Sequence, residues 1–135
     1  MDETAHEMYK EHILDHYQHP HNFGKLEGAT HAHREFNPLC GDDLTIELII
    51  KNGKVETVKF HGRGCAISMA SASLLTDHIK QMTHNEIMSL GREDVLKLLH
   101  IPVGPVRLKC ALLPLETLHK TLHKTLHTTF DTNKR

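Results

Sequence analysis

The sequence predicts an α+β fold in which an antiparallel sheet packs against helices. Two segments rich in β-branched residues, 44–51 (LTIELIIK) and 55–60 (VETVKF), flank Asn52-Gly53. That dipeptide favours a two-residue hairpin turn because both positions tolerate positive φ. Helical patterns precede the hairpin at residues 4–17 and follow it at residues 66–80 and 109–130. We therefore expect a helix, then strands, then further helices.

The remaining elements are shorter or less regular. Residues 30–36 are weakly strand-like, and short helices are expected at about 83–89 and 93–100. In the last helix, Pro114 lacks an N–H and fits only the first turn, so Cys110 is expected at or just before the helix start. The apolar residues that define the first helix are Met8, Ile13, Leu14 and Tyr17.

Length and composition indicate a single globular domain. The chain has 135 residues and a mass of 15.4 kDa, within the usual range of one domain. Its 16 Lys and Arg nearly balance its 17 Asp and Glu, so a general nucleic-acid binder is not expected. No apolar run approaches the ~20 residues of a membrane span, and the acidic start is not a secretory signal. We therefore expect a cytoplasmic protein without membrane partners, flexible at residues 1–5 and 131–135.

Three cysteines are the first candidates for chemistry, because each lies at a break between predicted elements. Cys40 lies in a loop between strands, Cys65 follows a glycine-rich break, and Cys110 lies at the start of the last helix. Helix N-termini favour thiolates, and the positive charges of Arg63 and Lys109 add to this effect. Thiolates bind soft metals and attack sulfur, so the cysteines indicate metal or sulfur chemistry.

Asp42 is the fourth candidate ligand. It follows Cys40 by two residues, so in an extended segment the two side chains point the same way. Three thiolates and one carboxylate suit a tetrahedral site for zinc, or for iron with sulfide. The alternative is that the three cysteines are buried and inert, and their wide separations match no zinc-finger pattern. The residues alone therefore predict a candidate metal or sulfur site and leave its chemistry open.

The 14 histidines invite a metal interpretation, yet most are expected to be surface residues. His119, His123 and His127 recur every fourth residue and line one helix face. Such a stripe could bind a transition metal, but it is more often a solvated face opposite the leucines. The histidines that flank the first helix are expected to be exposed; they are His12, His16, His19 and His21.

Four motifs together resemble the IscU/NifU-type iron–sulfur cluster scaffolds. They are residues 14–17 (LDHY) with Pro20 and Asn22, residues 37–42 (NPLCGD), residues 64–73 (GCAISMASAS) and residues 109–111 (KCA). They occur in the family's order, and the resemblance runs from about residue 6 to residue 127. Any one motif alone would carry little weight, but the set is specific.

The resemblance implies both a fold and a site. It implies a three-stranded antiparallel sheet covered by helices, one IscU/SufU-like domain over residues 1–135, and a metal or cluster site at one end. The ligands carried over are Cys40, Asp42, Cys65 and Cys110. The family accepts sulfur from a cysteine desulfurase, assembles a transient 2Fe-2S cluster, and passes it to apo-proteins or carrier proteins. Family members are also found with zinc in this site, and histidines near the first helix can contact the desulfurase.

Departures from the IscU branch point toward the SufU branch. Lys109 stands where the IscU branch has histidine, and the segment 104–108 (GPVRL) replaces Leu-Pro-Pro-Val-Lys, the recognition motif for the dedicated Hsp70 chaperone. This argues against that chaperone as a partner. The run 64–73 and the basic Lys109 are similar to SufU, a zinc-bound sulfur acceptor. SufU proteins carry an insertion before the third cysteine, for which the spacing between Cys65 and Cys110 leaves no room.

Two functions therefore stay open, with a scaffold favoured over an enzyme. One is a scaffold that builds or relays a cluster; the other is a zinc-dependent sulfurtransferase that relays persulfide sulfur. Cys110 is the predicted sulfur acceptor, with Cys40 and Cys65 taking part, and Asp42 is the predicted labile ligand. A structural zinc protein without sulfur chemistry is the third possibility.

Overall fold

The computed structural model describes residues 3–38 and 41–124, with side chains from residue 10 onward. Among the helices within these residues, none combines the length and the apolar character needed to cross a bilayer. The elements, in chain order, are α1 (Glu3–Gln18), β1 (His31–Asn37), β2 (Asp42–Lys51), β3 (Lys54–Arg63), α2 (Ala66–His78), α3 (His84–Met88), α4 (Arg92–Leu99) and α5 (Pro105–Thr121).

The three strands form an antiparallel sheet with β2 in the centre. The predicted hairpin is confirmed, because Asn52 and Gly53 adopt φ values of 55° and 76° between β2 and β3. Two left-handed residues give a tight turn whose twist matches that of the strands. The weakly predicted strand is β1, which pairs with β2 from His31 to Asn37. The expected α+β class and three-stranded antiparallel sheet are thus confirmed.

One face of the sheet carries the hydrophobic core. Along β2, Leu44, Ile46 and Leu48 are buried while the residues between them are more exposed, as expected for a strand with one covered face. Helix α5 contacts β1 and β2, α2 contacts β3 and α5, and α1 packs on α2. This packing sets the N-terminus of α2 and the first turns of α5 beside the same end of the sheet.

The buried face of α1 differs from the predicted one. Ile13 is buried, but Leu14 and Tyr17 are 49% and 42% exposed, and the polar His16 is only 6% exposed. Residues three apart share a helix face, so Ile13 and His16 are buried together. The physical reason is a polar partner on α2, where Ser73 Oγ lies 2.7 Å from His16 Nδ1. The expectation that His16 is solvent-exposed was therefore wrong.

The last helix begins earlier than predicted. Pro105 occupies its first turn and Pro114 lies in its interior, so the expectation that Pro114 belongs to the first turn was wrong. Proline costs no hydrogen bond at a helix start, and this explains the position of Pro105. Pro114 lacks the N–H that would continue the ladder, but it is buried and packs with the core. The helix ends at Thr121, with Leu122 as its C-cap, so the predicted continuation to residue 130 was wrong for residues 122–124. Residues 125–135 lie outside the described residues.

Candidate metal centre

Three of the four predicted ligands meet at one end of the sheet. Asp42 is the first residue of β2, Cys65 is the N-cap of α2, and Cys110 lies in the second turn of α5. One carboxylate oxygen of Asp42 and the two sulfur atoms all lie within 4.8 Å of one another. For these three residues, the predicted convergence at one end of the fold is present.

Cys40, the fourth predicted ligand, lies outside the described residues. The next residue, Gly41, has a φ of +76°, and its N–H donates to the carbonyl of Asn37 at 2.8 Å. Glycine suits this position because a left-handed φ strains other residues. The chain therefore turns at Gly41, and the extended geometry assumed before Asp42 does not hold at Gly41. The ligand role of Cys40 stays a prediction.

Cys65 caps the N-terminus of α2, as the sequence predicted. Its sulfur accepts a hydrogen bond from the backbone N–H of Ser68 at 3.5 Å, as an N-cap side chain does. Burial opposes ionisation of this thiol, and so does the charge of Asp42. The hydrogen bonds from Ser68 and Cys110 outweigh both and lower the pKa of Cys65. The thiolate form, which binds metals and attacks sulfur, is therefore favoured at this position.

The surroundings of the Asp42 carboxylate suit a metal ligand. It is 2% exposed, which is rare for a carboxylate. Its Oδ1 accepts a hydrogen bond from the Cys65 N–H at 3.2 Å. Its Oδ2 is buried and has no hydrogen-bond partner among the described residues. Such an oxygen carries a desolvation cost that a bound cation would offset, and zinc and iron both accept thiolate and carboxylate donors. The residues present fit a metal.

Gly64 and Ser68 also shape the site, although their roles were not predicted. A Cβ on Gly64 would lie 2.3 Å from Ser68 Oγ and 2.9 Å from Asp42 Oδ1, so a larger residue collides with both. Ser68 is 4% exposed, and its hydroxyl donates to the Cys65 carbonyl at 3.1 Å. The signal for Ser68 lies in its spacing, because the third residue after an N-cap offers its N–H to the cap side chain.

Cys110 lies deeper in its helix than predicted. It is the sixth residue of α5 and is 4% exposed. The field of a helix terminus fades within the first turn, so the helix-start effect assumed for this thiol does not apply. The preceding residue, Lys109, is exposed and lines an open cleft of about 630 Å³ with Phe36 and Pro38. Lys109 thus lies at the surface beside a buried cysteine.

Arg63 is the last residue of β3 and lies opposite Asp43 in the sheet. The Arg34 guanidinium, which binds Asp43 at 2.7 Å, lowers the pKa of that carboxyl, and the charge of Arg63 adds to the effect. Asp43 and Asp42 are therefore neighbours with different surroundings. One forms an exposed ion pair, and the other lies buried beside the thiols.

The histidine stripe predicted for the last helix is only partly on that helix, which ends at Thr121 before His123, and one of its members is structural. His119 is partly buried, and its Nε2 donates to the carbonyl of Ile87 at 3.0 Å, which links α5 to α3. The expectation of a solvated face was wrong for His119. The ring of His123 lies 6.0 Å from that of His84, and His127 lies outside the described residues.

The arrangement suits soft-metal or sulfur chemistry. Cys65 and Cys110 are not joined in a disulfide, and their proximity lets them share one cation or exchange a sulfur atom. The serines of α2 are engaged in structural contacts, since Ser71 Oγ donates to the carbonyl of Ala111 at 2.7 Å. The site therefore offers thiolate donors rather than an activated hydroxyl.

Comparison with known proteins agrees with this chemistry. The NifU-like N terminal domain family matches residues 8–131. The iron-sulfur cluster assembly scaffold protein IscU 1 of Archaeoglobus fulgidus is 37% identical over 92 residues, which cover 68% of this chain and 60% of that protein. The zinc-dependent sulfurtransferase SufU of Bacillus subtilis is 34% identical in an alignment 130 residues long, and the match covers 84% of this chain and 88% of that protein.

A solved structure is also similar to this chain in fold and sequence. It is that of a proposed iron-sulfur cluster assembly scaffold for the SUF system from Fervidobacterium islandicum. It has a TM-score of 0.74 at 30% identity, and the match covers 87% of this chain and 98% of that one. The match to the Archaeoglobus relative, by contrast, spans about three-fifths of that protein's length. Proteins named IscU and SufU, the two branches that the motifs resemble, are both among the relatives.

Proposed function

Because the chain belongs to the family of NifU-like N-terminal domains, we propose that it is an iron–sulfur cluster assembly protein. It accepts sulfur from a cysteine desulfurase and builds or relays a cluster to apo-proteins or carrier proteins. One observation carries the proposal. Asp42, Cys65 and Cys110 bring their ligand atoms within 4.8 Å, and the buried Oδ2 of Asp42 has no partner in the described part of the chain.

In this proposal, four residues hold the metal, zinc or iron, and the 2Fe-2S cluster is the cargo. They are Cys40, Asp42, Cys65 and Cys110. A bound metal would keep the thiols deprotonated and less open to oxidation. Asp42 offers a hard oxygen among soft sulfur donors, so it is the ligand that we propose to be labile.

The proposed sulfur step is a thiol exchange at Cys110. The Cys110 thiolate attacks the outer sulfur of the desulfurase persulfide, the sulfur–sulfur bond of that persulfide breaks, and the desulfurase cysteine leaves as a thiolate. Cys110 then carries the persulfide, and no oxidant or reductant is consumed. Cys65 is the alternative acceptor, because it is partly exposed whereas Cys110 is 4% exposed.

A second candidate function is a zinc-dependent sulfurtransferase that relays persulfide sulfur while zinc stays bound. Its support is the similarity to the Bacillus SufU protein over 88% of that protein's length. The basic Lys109 directly before Cys110 is also similar to the SufU branch. Both candidates use the same four ligands, so they differ in the cargo rather than in the site.

An anaerobic mixture of the purified protein, a cysteine desulfurase, cysteine and Fe²⁺ separates the two candidates. Visible charge-transfer bands, followed by transfer to apo-ferredoxin, support the scaffold. Retained zinc, faster desulfurase turnover and a persulfide detected by mass spectrometry support the sulfurtransferase. If neither outcome is observed, both proposals are contradicted, and a structural zinc protein remains.

The chain provides a matched control for this experiment. In the resting protein without a cluster, Asp42→Asn should lower zinc retention, whereas Asp43→Asn should not, because Asp43 binds Arg34 outside the site. Mass spectrometry of Cys110→Ser and Cys65→Ser identifies the acceptor thiol. A persulfide detected on Cys110→Ser but absent from Cys65→Ser would identify Cys65, rather than Cys110, as the acceptor.

A further inference from the structure

The two edges of the sheet differ in how they are covered. Along β3, the loop residues Phe23 and Thr83 each form a bridge to the strand. On the side of β1 that faces away from β2, one backbone bond is present among the described residues, from the Ala32 N–H to the Lys124 carbonyl at 3.2 Å. An uncovered edge strand offers peptide groups that pair readily with another extended segment. The β1 edge is therefore the place where a further strand could be added.

The bond at Ala32 shows which peptide groups of β1 face outward. Alternate residues of a paired strand bond to opposite sides, so Arg34 and Phe36 also direct their N–H and C=O groups away from β2. No backbone group of a described residue bonds to these outward groups. Phe36 is 53% exposed, and Arg34 is exposed as well. A neighbouring strand would therefore find two further residues of β1 in the geometry for pairing.

A cleft lies beside this edge, between β1 and α5. Its volume is about 630 Å³, and its walls include residues 35–38 on one side and Leu112, Leu115 and Glu116 of α5 on the other. The leucines give the α5 wall an apolar part. A strand added to the β1 edge would therefore direct the side chains of one of its faces into this cleft.

The chain itself leads to this surface. Helix α5 ends at Thr121, and the Lys124 N–H then donates to the Thr121 carbonyl at 2.9 Å in a turn. The turn brings Lys124 to Ala32, near the start of β1, so a chain that continues along the edge would run parallel to β1. Residues 125–130 lie outside the described residues. In extended form these six residues span about 20 Å, as do the six residues of β1 from Ala32 to Asn37.

The bond between Ala32 and Lys124 fixes the register of such a strand. In a parallel pair, one residue bonds to the two residues that flank its neighbour on the other strand. Because the Ala32 N–H bonds to the carbonyl of Lys124, residue 125 would lie opposite Ala32. The sequence of residues 125–130 is TLHTTF, and threonine and phenylalanine are both enriched in strands.

This register places apolar residues on the side of the cleft. Glu35 lies opposite the buried Leu44 in the sheet, so its side chain is on the face that α5 covers. Residues opposite one another share a face. Thr128 would therefore lie beside Glu35 on that face, with Leu126 before it and Phe130 after it. The other three positions of the segment are polar, and they would face solvent.

We propose that the β1 edge and the adjoining cleft are the docking site for the chain's own residues 125–130, which add a fourth strand parallel to β1. Leu126 and Phe130 fill the cleft, and the outward peptide groups of Arg34 and Phe36 gain partners. The docked segment also covers the cleft beside Lys109, so another protein reaches this face only after the segment is released.

Amide hydrogen exchange of the zinc-loaded chain, followed by NMR, tests the proposal. We expect the amides of Arg34 and Phe36 to exchange at least about tenfold more slowly than those of an unstructured peptide, because hydrogen-bonded amides are protected. Leu126→Ser and Phe130→Ser should each speed this exchange about tenfold, because each variant loses the burial of an apolar side chain. The amide of Ile46 in the central strand should stay protected in every variant, which checks that the fold is kept.

His127→Ser is the matched control, because the proposed register places residue 127 on the solvent face. It should leave the exchange of both edge amides unchanged. Fast exchange of these amides in the wild type overturns the proposal, and so does protection that Leu126→Ser and Phe130→Ser leave intact. An equal loss of protection in His127→Ser contradicts the register. Protection that disappears on tenfold dilution, together with a dimer in sedimentation, would assign the edge to a second copy of the chain instead.

Discussion

Replacing Gly64 with alanine should disrupt the metal centre without touching a ligand. The new Cβ would lie 2.3 Å from Ser68 Oγ and 2.9 Å from Asp42 Oδ1, whereas ordinary contact begins at 3.4 Å. Ser68 is 4% exposed and Asp42 is 2% exposed, so neither has open space into which to move. Overpacking of this kind costs about 1–3 kcal/mol. Because the Asp42 carboxylate must shift, we also expect zinc affinity to fall at least tenfold.

Urea denaturation of the metal-free protein and competitive zinc titration measure the two effects of Gly64→Ala. Removing the Ser68 hydroxyl relieves the shorter contact. The double variant Gly64→Ala/Ser68→Ala should therefore have a free energy of unfolding about 1 kcal/mol higher than the added effects of the two single substitutions predict. Gly91→Ala is the control for metal affinity, because a Cβ there meets nothing within 4 Å. A Gly64→Ala protein with wild-type zinc affinity and a stability change below about 0.5 kcal/mol would refute the packing argument.

Three further predictions concern other parts of the molecule. Asp42→Ala should slow cluster release in a transfer assay followed by absorbance; unchanged or faster release would count against a labile carboxylate. Ser71→Ala removes the hydrogen bond to the Ala111 carbonyl and should lower the free energy of unfolding by about 1 kcal/mol in urea, and no loss would contradict that role. The Lys120 ammonium lowers the pKa of Glu35 below its usual 4.5, so the unfolded chain binds more protons in acid. The stability that this pair adds is therefore present above pH 4.5 and lost below it. In Glu35→Gln, Tm should therefore fall less steeply than in wild type as the pH drops below 4.5. An equally steep fall would contradict this role of the Glu35–Lys120 pair.

Local chemistry explains what the sequence predicts well. The β2–β3 hairpin follows from Asn52-Gly53, because two adjacent residues that tolerate positive φ leave the backbone few alternatives. Cys65 at the start of α2 follows from the glycines that interrupt β3. The meeting of Asp42 with Cys65 and Cys110 depends on contacts across the whole chain. The residue types made these side chains candidate ligands, and the family resemblance carried them over as one ligand set.

Tertiary partners explain what the sequence did not predict. His16 is buried because Ser73 offers a hydrogen bond on a helix 57 residues away, and no local pattern encodes that partner. The start of α5 was misplaced because Pro114 was taken as a helix boundary, whereas its burial in the core offsets the missing hydrogen bond. The turn at Gly41 replaced an extended segment because the strands β1 and β2 pair up to Asn37 and Asp42.

X-ray absorption at the zinc edge, on protein loaded with one equivalent of Zn²⁺, tests most directly whether Cys40, Asp42, Cys65 and Cys110 hold one ion. We predict three sulfur neighbours at about 2.3 Å and one oxygen at about 2.0–2.2 Å, with one sulfur lost in Cys65→Ser. A spectrum fitted by nitrogen and oxygen neighbours alone, or a sulfur count that Cys65→Ser does not change, would contradict the shared site.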